Sequence, residues 1–165
     1  MSRSDERFFR ESERGFTLIE LLIVIMIISL LAGIAIPAFL SQRRKGYDSQ
    51  ARSDLRNFAA AEETYLVNNP SGYGPAGAVL GSGFKMSPND VIVLLGLNGA
   101  SGFCAYGKNL NSSNYFLYDS QSGGLASTSA NAAPTVADCS SSSVGSSAPS
   151  TTTLTASAAG MVSVH

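Results

Sequence analysis

The chain has 165 residues, a formal net charge of -1, 44% hydrophobic residues and only one histidine, His165. That length holds one domain with appendages, and the balanced charge excludes a strongly cationic nucleic-acid glove or a trap for acidic substrates. A single histidine excludes the paired-histidine zinc motifs.

Charge is distributed unevenly along the chain. Residues 1–15 carry four Arg and four acidic residues, whereas residues 16–40 carry one charge, Glu20. As a helix the second segment is roughly 37 Å long, against about 30 Å of bilayer hydrocarbon. It exceeds the roughly 7 to 15 apolar residues of a secretory signal. A transmembrane helix accounts for everything except Glu20, since an unpartnered intramembrane carboxylate costs on the order of 3 kcal/mol or more. Two readings of Glu20 are compatible with each other. Thr17-Leu18-Ile19-Glu20 fits a capping box in which the carboxylate reaches back to the Thr17 amide at the positive end of the helix dipole. A cut between Gly15 and Phe16 would also create an α-amine on Phe16, a cationic partner for Glu20 in the same chain or a staggered neighbour. Such a pair fixes register better than it adds stability.

Residues 14–66, RGFTLIELLIVIMIISLLAGIAIPAFLSQRRKGYDSQARSDLRNFAAAEETYL, resemble the N-terminal region of type IV pilins over about a third of the chain. The resemblance rests on the glycine before the cut, the aromatic after it, the carboxylate four residues on and the late proline. It implies that a prepilin peptidase cuts after Gly15, that residues 1–15 are a leader, that Phe16 becomes the N-methylated first residue, and that Glu20 aligns subunits during assembly. In one respect the chain departs from the family. Its leader is charge-balanced where family leaders tend to be basic, and Arg43, Arg44 and Lys45 flank the far side, so charge counting does not orient the span.

Pro37 lacks an amide hydrogen and crowds the Gly33 carbonyl, which predicts a kink or loosening between Gly33 and Pro37. Beyond Leu40, Tyr47, Ala51, Leu55, Phe58, Ala59, Tyr65 and Leu66 follow helical spacing, with Glu62 an exception. The pattern predicts one helix from about Thr17 to about Val67, weakened at Gly46 and ended by Asn68-Asn69-Pro70. Its amphipathic part, residues 41–68, is expected to pack on a globular partner from the same chain.

Residues 69–139 alternate short apolar runs with turn chemistry. Gly72–Gly83 reads as a glycine-rich surface connection without phosphate-loop spacing. Val91–Leu97, Gly102–Tyr106 and Asn114–Tyr118 read as strands, the last two joined by a turn over Gly107–Ser113, with Leu125–Thr128 as a fourth. Sequential short strands imply an antiparallel meander with one face on the helix. Cys104 and Cys139 admit two readings, free buried thiols or one disulfide. The export implied by the resemblance favours the bridge, as does the family habit of stapling the C-terminal part of the sheet. Asp119–Gly123 is faintly similar to a calcium loop but lacks the late glutamate, and a turn is the simpler reading. Residues 140–165 hold nine Ser, four Thr and no Lys, Arg, Asp or Glu. They read as a low-complexity tail, with an edge strand over Thr151–Ser157 or a glycosylated surface as alternatives.

The expected class is α+β with a pilin fold. Its apolar half-helix, residues 16–40, lies in the membrane or filament core, and its amphipathic half lies on a small antiparallel sheet. The resemblance implies a structural subunit of a type IV pilus rather than an enzyme, with no catalytic residues, cofactor or metal. The expected partners are identical subunits in a helical filament, the prepilin peptidase and pilus assembly machinery, and the inner membrane before assembly at the cell surface. No nucleic acid is expected. The alternative is a pseudopilin of a type II secretion or DNA-uptake system, or a minor pilin.

Overall fold

The structure, a computed structural model, describes residues 15–81, 83–145, 151–157 and 162–164. Residues 1–14, which hold all but the last of the expected leader, and residues 82, 146–150, 158–161 and 165 lie outside the described residues. The chain divides into two compact units, Met1–Leu40 and Ser41–His165.

The first helix, α1, spans Leu18–Asn68. In the first unit its side chains are almost all exposed, from Leu18 at 89% to Val24 at 46%. This stretch is long and apolar enough to cross a membrane. Pro37 lies inside α1, which stays helical on both sides of it. At the far end the orphan carbonyls are capped by asparagines, as a helix terminus requires. The Asn68 side-chain amide donates to Thr64 O at 2.9 Å, and that of Asn69 donates to Tyr65 O at 3.1 Å.

In the second unit Ala51, Asp54, Leu55, Phe58, Ala59 and Glu62 form the buried face of α1, at the 3.6-residue period. That face meets a six-stranded antiparallel sheet of β1 (Asp90–Leu97), β2 (Phe103–Asn109), β3 (Tyr115–Asp119), β4 (Gly124–Ala130), β5 (Thr152–Ala156) and β6 (Val162–Val164). The strand order is β4-β3-β2-β1-β5-β6. Ile92, Leu94, Phe103, Ala105, Phe116, Leu154 and Ala156 join Leu55 and Phe58 in the main core. On the other face of the sheet Val93, Leu95 and Cys104 form a second cluster with Val136, Cys139 and Val144. Both faces of β1 are therefore covered, which is why Val91–Leu97 is continuously apolar rather than alternating.

Two glycines of the sheet lie against neighbouring elements, Gly107 at ordinary contact distance and Gly96 much closer. Gly107 lies under the helix, where an added Cβ would meet Leu55 Cβ at 3.4 Å. Gly96 follows a bulge in β1, since Leu94 pairs with Ala105 and Gly96 with Cys104. An added Cβ there would lie 2.6 Å from Val144 Cγ1. Cys104 and Cys139 form a disulfide with Cα atoms 6.1 Å apart, tying β2 to the 3-10 turn Val136–Asp138.

Three expectations are corrected. Gly72–Gly83 is not a plain surface loop: it contains a short helix, α2 (Ala76–Leu80), with Ala76 and Val79 in the core. β2 continues through Lys108 and Asn109, so the turn to β3 starts later than Gly107. The sheet also reaches past residue 139, where a low-complexity tail was expected. The strand anticipated over Thr151–Ser157 exists as β5 and is internal, because β6 pairs on its far side.

Candidate functional site

The backbone from Gly15 to Thr17 is extended before α1 begins. Among the described residues nothing lies within 4 Å of the Cβ position of Gly15, and Phe16 is 84% exposed. Thr17 is the cap residue. Its backbone amide donates to Glu20 Oε2 at 3.3 Å, its hydroxyl donates to the same oxygen at 3.1 Å, and the Glu20 amide donates to Thr17 Oγ1 at 3.2 Å. This is a reciprocal capping box, and it satisfies two of the orphan amides at the helix start. All of the carboxylate's bonds here go to Oε2. Among the described residues Oε1 accepts none, so the group caps its own helix and keeps one oxygen for another donor.

From Leu18 to Leu40 the helix offers a continuous apolar surface. Its one hydroxyl beyond the cap, on Ser29, is satisfied internally, donating to Ile25 O at 2.7 Å. An exposed apolar surface of this extent marks a membrane or protein interface. Gly33 and Pro37 both lie within it; by chemistry Pro37 leaves the Gly33 carbonyl without its usual donor.

Several polar residues in the globular unit escaped the sequence reading. Glu62, the exception in the apolar stripe, is fully buried. One of its oxygens accepts the Gly74 amide at 3.1 Å, while the other has no partner among the described residues. Burial pushes its pKa up to about 7, against the lowering effect of the Gly74 bond. Asp54 accepts the amide and hydroxyl of Ser87, anchoring the approach to β1. Beside it Asp90 is buried and accepts from Asn109, and burial raises its pKa with Asp54 adding to the effect. Asp119 shows the opposite balance. Burial would raise its pKa, but bonds from the Ser143 hydroxyl and the Ser140 and Gln121 amides hold it below the ordinary value. The Ser140 amide lies 2.6 Å from it. The carboxylate of the faint calcium-loop pattern is thus occupied in fastening the post-disulfide segment to the β3–β4 turn. The advance signals for these groups were Glu62's misfit in the helical period and the turn pattern that begins at Asp119; Asp54 and Asp90 had none.

Residues 10–36 match the family described as the prokaryotic N-terminal methylation motif. The chain is 35% identical over 91 residues to the type IV wide pilus major component PilA4 of Thermus thermophilus, covering 55% of this chain and 70% of that one. It is 42% identical over 58 residues to the type IV major pilin protein PilA of Myxococcus xanthus, covering 35% of this chain and 26% of that one. It is 33% identical over 60 residues to the type II secretion system core protein G of Pseudomonas aeruginosa, covering 36% and 42%.

Proposed function

The chain belongs to the type IV pilin family, and from that membership we propose that it is a structural subunit of a type IV pilus. The observation that carries this reading is the exposed apolar helix of residues 18–40, headed by Gly15, Phe16 and the capping carboxylate of Glu20. The precursor is inserted in the inner membrane through residues 16–40. A prepilin peptidase cuts after Gly15, and the new amine of Phe16 is methylated. The segment then leaves lipid and packs among the same segments of identical subunits. Lipid tails and aliphatic side chains are about equally apolar, so this exchange changes little apolar burial, and polar groups decide how helices align. Glu20 is the one charged group available. Its Oε2 stays on its own Thr17, and its second oxygen takes the Phe16 amine of a neighbour, which sets the axial stagger.

Pro37 supports extension of the filament, because the carbonyl it leaves unpaired at Gly33 weakens the ladder locally. The match to the type II secretion core protein favours a second reading, a pseudopilin whose filament stays within the envelope. Sheared surface appendages, imaged and analysed by mass spectrometry, distinguish the two: this chain is expected as the main component, and its absence from them contradicts the pilus reading. Glu20→Val is expected to be cleaved normally yet to yield few filaments. Wild-type filament yield from that variant contradicts the register role.

A further inference from the structure

Three consecutive cations follow the apolar segment: Arg43, Arg44 and Lys45, all exposed. The acid placed to neutralise them on the same helix is Asp48, four residues after Arg44 and three after Lys45, the spacings at which helical side chains meet. That acid is engaged elsewhere. The Ser112 hydroxyl donates to its Oδ1, and the Asn114 side-chain amide donates to its Oδ2 at 2.7 Å. The next acid, Asp54, is buried and holds Ser87. Among the described residues no ion pair forms with any of the three. Arg43 instead stands over the Tyr47 ring, 5.8 Å from its centroid, and donates to the Tyr47 hydroxyl at 2.8 Å. A basic run beside an amphipathic aromatic is the composition of a membrane-interface belt.

We propose that Arg43, Arg44 and Lys45, which form no ion pair among the described residues while Asp48 is turned to Ser112 and Asn114, bind the phosphates of anionic phospholipids in the leaflet opposite the leader. This rests on the reading of residues 16–40 as a span. The cations follow Leu40 by three to five residues, about 5 to 8 Å at helical rise, and a headgroup layer is of that thickness. Exposed Arg52 and Arg56 line a groove with Lys45 further along α1, but the three consecutive cations are the ones nearest the apolar segment, so headgroups are the favoured partner and a nucleic acid is an outcome of the test. The contacts hold the precursor at a defined depth and must be released when it enters a filament.

The test uses Lys45 as its own reporter. The full chain is reconstituted in vesicles of phosphatidylcholine, with or without phosphatidylglycerol, and treated with an amine-acylating reagent that does not cross membranes. Labelling of Lys45 is read by peptide mass spectrometry. Phosphatidylglycerol is expected to slow labelling severalfold. Arg43→Gln with Arg44→Gln should remove most of that protection, each cation contributing roughly fivefold to phosphate association, and high salt should remove it too. Equal Lys45 reactivity in both vesicle types, in a chain that resists alkaline carbonate extraction, overturns the phospholipid assignment and leaves the span intact. Extraction by carbonate overturns both. Equal protection by a short duplex DNA in detergent solution without lipid overturns it in favour of a nucleic-acid surface.

Discussion

Glu62 occupies a position on the inner face of α1 where the helical period calls for an apolar side chain. Its unfolded reference value is 4.5 and its folded value about 7. Between these values the unfolded chain has released a proton that the folded chain keeps, so raising the pH favours unfolding. This group's contribution is full below about 4.5 and lost as the pH rises through about 7, a change on the order of 3 kcal/mol. Asp90 is raised and acts in the same direction. Asp119 is lowered, so its contribution is present above its ordinary value and lost as the pH falls through its folded value. Thermal melts should therefore find greatest stability on the mildly acidic side of neutrality. Glu62→Gln keeps an acceptor for the Gly74 amide and cannot ionise, so it should flatten the decline between about pH 4.5 and 7. An unchanged slope in that variant would show that Glu62 is not the titrating group. Glu62 was legible beforehand only as a misfit in the helical period, and its pairing was not. The partners of these acids lie far along the chain, Gly74 for Glu62 and Ser143 for Asp119, and only the fold brings them together.

Among the elements, α1 was readable because composition defines its first half and a 3.6-residue stripe its second. β1 was readable because a strand covered on both faces is apolar throughout. Two elements carried no comparable signal. α2 has five residues, too few for a period, and sits in a glycine-rich context typical of loops. β5 has only Leu154 and Ala156 pointing into the core, and the surrounding Thr and Ser have the composition of a disordered tail. The bulge in β1 is likewise invisible without Val144 on the adjoining segment. It yields a direct test. Gly96→Ala places a methyl against Val144 and should destabilise by roughly 1 to 3 kcal/mol, as overpacking does. Val144→Ala in the same chain should restore part of that loss. Additive effects in the double variant would mean that the two positions do not touch.

For the whole molecule, the disulfide does at the sheet what the capping box does at the helix start, fixing a segment with little apolar burial of its own. It closes a loop with a sequence separation of 35. By the chain-entropy relation such a loop stabilises by about 4 kcal/mol. Replacing Cys104 and Cys139 by serine should lower the melting point by several degrees or more. The loss should be greatest for the segment from Val136 to Val144, read by amide hydrogen exchange. Protection there equal to the wild type would assign its order to Asp119 and the serine network alone. At the N-terminal segment Gly15, Phe16, Thr17 and Glu20 fall within six residues, so the capping box there could be read from the sequence without any tertiary partner.

The terminus of the assembled chain decides whether Glu20 has its cationic partner. Top-down mass spectrometry of purified filaments should find Phe16 as the first residue, carrying one methyl group on its amine. Filaments built from chains that still begin at Met1 would contradict that pairing, because the cation assigned to Glu20 would then not exist.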